Sequence, residues 1–217
     1  MENIRLILSM GLIAVISYLI GCLNFAIIIC KIMYGKDIRD FGSGNAGMTN
    51  VARTFGKVPA ILTTIGDFLK GTIAMLAGQL IHLLVCGTEY PYYAKYFVCV
   101  MVLIGHAYPV LYNFRGGKGI LVSAGVILIL DWRILIILCL IFGVVFFTTR
   151  IVSLGSIIVA VMFAVLTLVF GLVEQSPHVW TDTLTTSLMA AFVLYLHRAN
   201  IKRLLNGTEH RFGGKKK

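Results

Sequence analysis

The sequence predicts an all-α, polytopic integral membrane bundle, and three observations predict it. Of 217 residues, 59% are hydrophobic and only 13% charged, against about 25% charged in a soluble domain, and the mean hydropathy is +0.92. The apolar residues fall in runs near the roughly 20 residues that a spanning helix needs. The charges fall in the short segments between those runs. A net charge of +10 would suit a nucleic-acid partner, but no nucleic-acid motif accompanies it. The basic residues read instead as topology signals, and no nucleic acid is expected. The length suits one membrane-embedded domain over residues 1–217. Cys22, Cys30, Cys86, Cys99 and Cys139 form no CxxC pair. They read as small packed hydrophobes, with neither metal nor disulfide implied. The first apolar run lacks a small-residue cleavage site, so no cleavable signal peptide is expected.

In chain order, residues 4–29 make a first span, ending in Lys31, Lys36 and Arg39. A polar island follows at 41–56, FGSGNAGMTNVARTFG. Gly42, Gly44 and Gly47 alternate there with Ser43, Asn45, Thr49 and Asn50 and lead to Arg53. Glycines let backbone N–H groups approach a ligand closely. Hydroxyls and amides add donors, and an Arg fork matches phosphate oxygens. A phosphate-bearing small molecule fits this set; a plain turn-rich loop is the structural alternative. Thr49 or Asn50 is expected to cap a short helix carrying Arg53. A second span covers 58–85 with Pro59 in its first turn. Asp67 and Lys70 lie inside it on one helical face, as an internal salt bridge or as catalytic groups.

A third span near 93–111 runs into a second island at 105–119, GHAYPVLYNFRGGKG. Glycines around Lys118 suit close backbone approach plus one point charge, although Walker A spacing is absent. Residues 120–130 and 134–147 are too short to span alone, about 17 and 21 Å of helix against a core of about 30 Å, and Asp131, Trp132 and Arg133 separate them. They form two short spans or a re-entrant hairpin, and either returns the chain to the side it left. A clean span at 154–173, an outer loop at 174–182 and a last span from about 184 to His197 complete the chain. If 120–147 returns to its starting side, fifteen of the 19 Lys and Arg share one face. The positive-inside rule then puts the N-terminus outside and the C-terminus in the cytoplasm, with seven transmembrane helices, two of them short. Trp132, Trp180 and the tyrosines 90, 92, 93 and 96 fall at the outer interface. Both islands, Ser153 and the 197–203 segment fall at the cytoplasmic surface, where they can converge on one basic site.

Three stretches together resemble the motifs of the bacterial acyl-phosphate-dependent glycerol-3-phosphate acyltransferases. They are SGNAGMTNVAR at 43–53, GHAYP…FRGGKG at 105–119, and HRANIKRLLNGTE at 197–209. Their order and spacing cover nearly the whole chain. Met48 departs from the family's usual Ala, which implies altered packing rather than lost activity. The resemblance implies a membrane enzyme that moves a fatty acyl group from acyl phosphate to the 1-hydroxyl of glycerol 3-phosphate. The products are lysophosphatidic acid and inorganic phosphate, the first step of bacterial phospholipid synthesis. It implies no metal or other cofactor, and neither acyl-CoA nor acyl carrier protein as direct donor. A monomer in the bacterial inner membrane is expected.

The residue chemistry is compatible. Acyl phosphate carries a good leaving group, so catalysis by positioning and charge stabilisation suffices, and the chain offers no Ser-His-Asp set, nucleophile elbow or metal cluster. Under this reading Ser43, Asn45, Thr49, Asn50 and Arg53 hold one phosphate and orient the reacting carbonyl. Gly116, Gly117, Lys118 and Gly119 contact phosphate, with Ser153 adding a hydroxyl. His197 and Asn200 hold glycerol 3-phosphate. Ser43, Arg53, Lys118 and His197 are the catalytic candidates. The base is His197 or a substrate phosphate. His106 is expected to be a structural hydrogen-bonder, Glu209 a structural partner of an Arg, and His82 and His210 bystanders. The terminal lysines are expected at lipid headgroups. Two other classes compete with this reading. A phosphate-ester transporter would show internal repeats, and none is found. A polyprenyl-phosphate transferase would need an acidic metal motif, and the nine acidic residues form no clustered pair.

Overall fold

The computed structural model describes residues 2–87 and 91–213, without the side chain of Tyr92. The expected roles of Tyr90, the Tyr92 ring and Lys215 to Lys217 lie outside the described residues. Everything regular among the described residues is helical. The chain groups into two compact units, Met1–Leu130 and Asp131–Lys217.

The first unit holds α1 (Glu2–Cys22), α2 (Phe25–Tyr34), α3 (Met48–Thr54), α4 (Lys57–Cys86), α5 (Tyr92–Ala107) and α6 (Ile120–Leu130). Helix α4 is its spine and packs on all five others, while α1 also packs on α5. The α1–α5 crossing is close because Gly21 and Gly105 face each other, and a Cβ on either would overlap the opposing backbone. Small residues at such crossings are how membrane helices pack where lipid removes the hydrophobic drive between them.

The expected first span of 4–29 is two helices. The chain breaks at Leu23 and Asn24, where the Asn24 carboxamide oxygen accepts from the Ile27 N–H at 3.1 Å and starts α2. The carbonyls of Gly21 and Leu23, left over at the break, accept from the Lys70 ammonium at 3.0 and 2.7 Å. A capping Asn and a buried cation thus satisfy backbone groups that a break in a lipid-level helix would otherwise strand.

The second unit holds α7 (Trp132–Thr149), α8 (Val152–Val173), α9 (Val179–Leu196) and α10 (Arg198–Leu205). Helix α8 packs between α7 and α9. Helix α7 is longer than the 14 residues expected, because Asp131 caps it by accepting from the Arg133 N–H at 2.9 Å. Trp132 and Arg133 therefore belong to its first turn. Arg133 is matched by ion pairs of 2.6 Å to both Asp131 and Glu174. Helix α9 starts at Val179, five residues before the expected 184, and shortens the outer loop. Within α9, Thr183, Thr185 and Thr186 each donate their hydroxyl to the carbonyl four residues back. Trp132 and Trp180, at the starts of α7 and α9, are both exposed.

Among the described residues, six stretches are long and apolar enough to cross a membrane: Glu2–Tyr34, Lys57–Cys86, Tyr93–Tyr112, Trp132–Thr149, Val152–Val173 and Val179–Leu196. Helix α6, with 11 residues, reaches about 17 Å. Cys22, Cys30 and Cys99 are buried free thiols, Cys86 is half-buried and Cys139 exposed.

Candidate functional site

The first island is a loop pinned by one side chain. Asn50, 2% exposed, sits in the first turn of α3 and reaches back over the loop. Its amide nitrogen donates to the carbonyls of Phe41, Asn45 and Ile38 at 2.9, 3.1 and 3.2 Å, and its oxygen accepts from the Ser43 N–H at 3.0 Å. Donors and acceptor are thus engaged with the loop's own backbone. The cap of α3 departs from the sequence expectation: it is Gly47, with no side-chain bond, and neither Thr49 nor Asn50. Gly42 must be glycine, since its φ is 57° and a Cβ would overlap the Asn50 oxygen. This pinning leaves Ser43 and Arg53 exposed and Asn45 and Thr49 half-buried. Met48 packs beneath them against the buried cluster of Ala26, Ile27, Cys30, Ile38, Ala46, Val51 and Ala60.

The second island doubles back on the end of α5. The Gly116 N–H donates to the Ala107 carbonyl and the Gly117 N–H to the His106 carbonyl, each at 3.1 Å. These N–H groups satisfy carbonyls in the last turn of α5. A Cβ at Gly116 would overlap the His106 and Ala107 carbonyls; one at Gly117 would overlap the His106 Nε2 and crowd the Ala46 carbonyl. Gly119, at φ 81°, turns the chain into α6 against Leu103. The glycines therefore seat the loop, and Lys118, half-buried between Gly117 and Gly119, supplies its charge.

Gly117 is also the seam between the islands, since it lies between the His106 ring and the Ala46 carbonyl of the first. That carbonyl accepts from the Asn24 amide at 3.3 Å. Behind the seam, His106 Nδ1 is 2.8 Å from the Lys70 ammonium. An ammonium only donates, so Nδ1 accepts and the ring proton is on Nε2. Lys70 pairs with Asp67 at 3.0 Å, both side chains 2% exposed. The geometry gives Asp67 and Lys70 their structural reading, and gives His106 the structural hydrogen bonds expected of it. Away from the islands, His82 is no bystander to the packing: buried, it meets the Ser9 hydroxyl at 3.1 Å.

In the second unit the polar side chains gather on Glu209. Its Oε1 accepts from Ser153 Oγ at 2.9 Å and Asn200 Nδ2 at 2.8 Å, and its Oε2 from Arg203 Nε at 2.7 Å. Burial pushes this carboxyl up, but its hydrogen bonds from Arg203, Asn200 and Ser153 and the Arg203 charge outweigh burial and hold it below the usual range. Glu209 pairs with an Arg as the sequence suggests, and it also orders Ser153 and Asn200. His197, 2% exposed, joins α9 to α10. Its Nδ1 lies 2.8 Å from the Val193 carbonyl. A carbonyl only accepts, so Nδ1 carries a proton.

Sequence reasoning missed Arg39 as anything but a topology charge. It missed Asn24, which reads as one polar residue in an apolar run. The spacing of Asp37 and Arg39, two apart just before the island, was the available signal for the first.

Comparison with known proteins shows the family and the fold. The family model for glycerol-3-phosphate acyltransferase matches residues 11–207. Glycerol-3-phosphate acyltransferase 2 of Bacillus cereus is 39% identical over 210 residues, covering 95% of this chain and 96% of that one. The glycerol-3-phosphate acyltransferase of Syntrophomonas wolfei subsp. wolfei is 41% identical over 199 residues, covering 90% and 93%. The crystal structure of PlsY, an integral membrane glycerol 3-phosphate acyltransferase, in its glycerol 3-phosphate form superposes with a TM-score of 0.80 at 34% identity, over 94% of this chain and 96% of that one. Its lysophosphatidic acid form gives 0.78 at 32%. With the family model matched over most of its length and solved relatives sharing its fold, this chain belongs to the glycerol-3-phosphate acyltransferase family.

Proposed function

We propose that this membrane acyltransferase takes its acyl group from acyl phosphate and delivers it to the 1-hydroxyl of glycerol 3-phosphate. The hydroxyl oxygen forms the new ester bond, the carbonyl–phosphate bond breaks, and inorganic phosphate leaves with lysophosphatidic acid as the other product. The reaction takes place at the cytoplasmic face of a bacterial inner membrane, with no metal and with the chain as a monomer.

The observation that carries this reading is the seam at Gly117. It brings a loop of hydroxyl, amide and guanidinium groups against a loop carrying Lys118. Phosphate recognition needs such donors and charges at one surface. Ser43 and Arg53, with Asn45 and Thr49, orient one phosphate and the reacting carbonyl. Lys118 stabilises the charge that gathers on the leaving phosphate. Ser153, ordered by Glu209, adds a hydroxyl for phosphate, and Asn200, ordered by the same carboxylate, holds glycerol 3-phosphate with His197. The hydroxyl proton goes to His197 or to a substrate phosphate; the scarcity of other bases favours the phosphate.

The test uses purified protein in lipid with labelled glycerol 3-phosphate and, in parallel, palmitoyl phosphate or palmitoyl-CoA. Labelled lysophosphatidic acid from palmitoyl phosphate alone is expected. Product from the thioester alone would overturn the donor assignment.

A further inference from the structure

Arg39 bridges the approaches to both islands. The turn before Gly116 has two consecutive non-glycine residues in the left-handed region, Asn113 at φ 55° and Phe114 at φ 56°. A bulky Phe is disfavoured there and needs outside support. The carbonyls on either side of this pair, those of Tyr112 and Arg115, both accept from Arg39 Nη1, at 2.6 and 3.2 Å. The guanidinium is fixed from its other edge, where Nε and Nη2 donate to the two oxygens of Asp37 at 3.0 and 2.8 Å. Its carbon also stands 5.8 Å from the Tyr112 ring centroid. The Arg39 and Asp37 side chains are only 16% and 17% exposed, so this bidentate pair is partly shielded from solvent, unlike a weak surface contact. Arg39 lies four residues before Ser43, and the second carbonyl it holds belongs to the residue directly before Gly116.

We infer that Arg39 is a positioning residue for acyl transfer: it clamps the left-handed Asn113–Phe114 turn and so sets the place of the Lys118 loop against the first island. The inference rests on the proposed role of Lys118 at phosphate. Arg39 itself touches backbone and Asp37 and needs no contact with substrate. Its planar fork serves two carbonyls and a carboxylate at once, which the point charge of a Lys does not reproduce.

The test measures steady-state kinetics in lipid, with palmitoyl phosphate and glycerol 3-phosphate, for the wild type, Arg39→Ala, Arg39→Lys, Asp37→Asn and Lys118→Ala, alongside thermal melts. Arg39→Ala is expected to lower kcat by about 10- to 100-fold, the scale on which small misplacements of catalytic groups act, with KM for glycerol 3-phosphate little changed and the melt close to wild type. Arg39→Lys recovers only part of that loss, and Asp37→Asn falls in the same direction. Asp37→Asn carries the test if Arg39→Ala does not fold. An inactive Lys118→Ala beside Arg39→Ala and Asp37→Asn variants of wild-type kcat overturns the inference alone. A Lys118→Ala that keeps turnover overturns the underlying role of Lys118, and this inference with it. Loss of kcat only in proportion to lost folded protein reduces Arg39 to a stabilising contact and also overturns the inference.

Discussion

At the scale of single residues, Glu209 gathers three side-chain partners. One carboxylate holds Ser153, Asn200 and Arg203, and its folded pKa lies below its ordinary value. A carboxyl depressed in the folded state stabilises above its unfolded pKa, about 4.3 for Glu, and loses that contribution as pH falls through the lower folded value. The melting midpoint of the wild type is therefore expected to fall in acid below about pH 4. Glu209→Gln should melt lower at neutral pH and lose part of that acid dependence. Equal slopes for both proteins would remove Glu209 as the acid-sensitive group. Asn50 carries the complementary lesson. Its type and its place in an Asn-rich, Gly-rich island mark it as polar and important, yet its amide is spent on four backbone groups of its own loop. Sequence shows that an amide stands there, but not which way it faces, because that depends on how the loop closes.

At the scale of elements, the break between α1 and α2 depends on helix α4. Lys70 takes two carbonyls at the break, meets His106 and pairs with Asp67, all out of water. Lys70→Met strands Asp67 as an unpaired buried carboxylate and is expected to destabilise by about 3–5 kcal/mol, read as a lower melting midpoint in detergent. Adding Asp67→Asn should recover part of that loss. A double variant worse than the single would contradict the pairing. Most elements were legible because apolar runs and charge breaks mark spans: 58–85, 120–130 and 154–173 are nearly the observed α4, α6 and α8. The break at Asn24 was not legible, since a single Asn beside Arg5, Ser9 and Ser17 barely changes the hydropathy of the 4–29 run. The added length of α7 was hidden because Asp131 and Arg133 read as a charged loop, whereas they are a cap and a neutralised first turn.

At the scale of the whole molecule, the chain brings together groups far apart in sequence, and the family motifs made those groups legible before their geometry was. Ala46 and Gly117 meet across some 70 residues. The motif glycines suggested backbone donors for phosphate, whereas Gly116 and Gly117 give their N–H groups to the end of α5 and make room for close packing. Only long-range packing decides between those uses of the same residue type.

The central claim is that the two islands work as one phosphate-handling surface because Gly117 lets them touch. Turnover of Gly117→Ala in lipid, with palmitoyl phosphate as donor and a melt run in parallel, tests it most directly. The added methyl meets the His106 ring and the Ala46 carbonyl, so at least about a 100-fold loss of kcat/KM is predicted, in protein that still melts cooperatively. Wild-type turnover in that variant would contradict the claim, because the islands would then act without their seam.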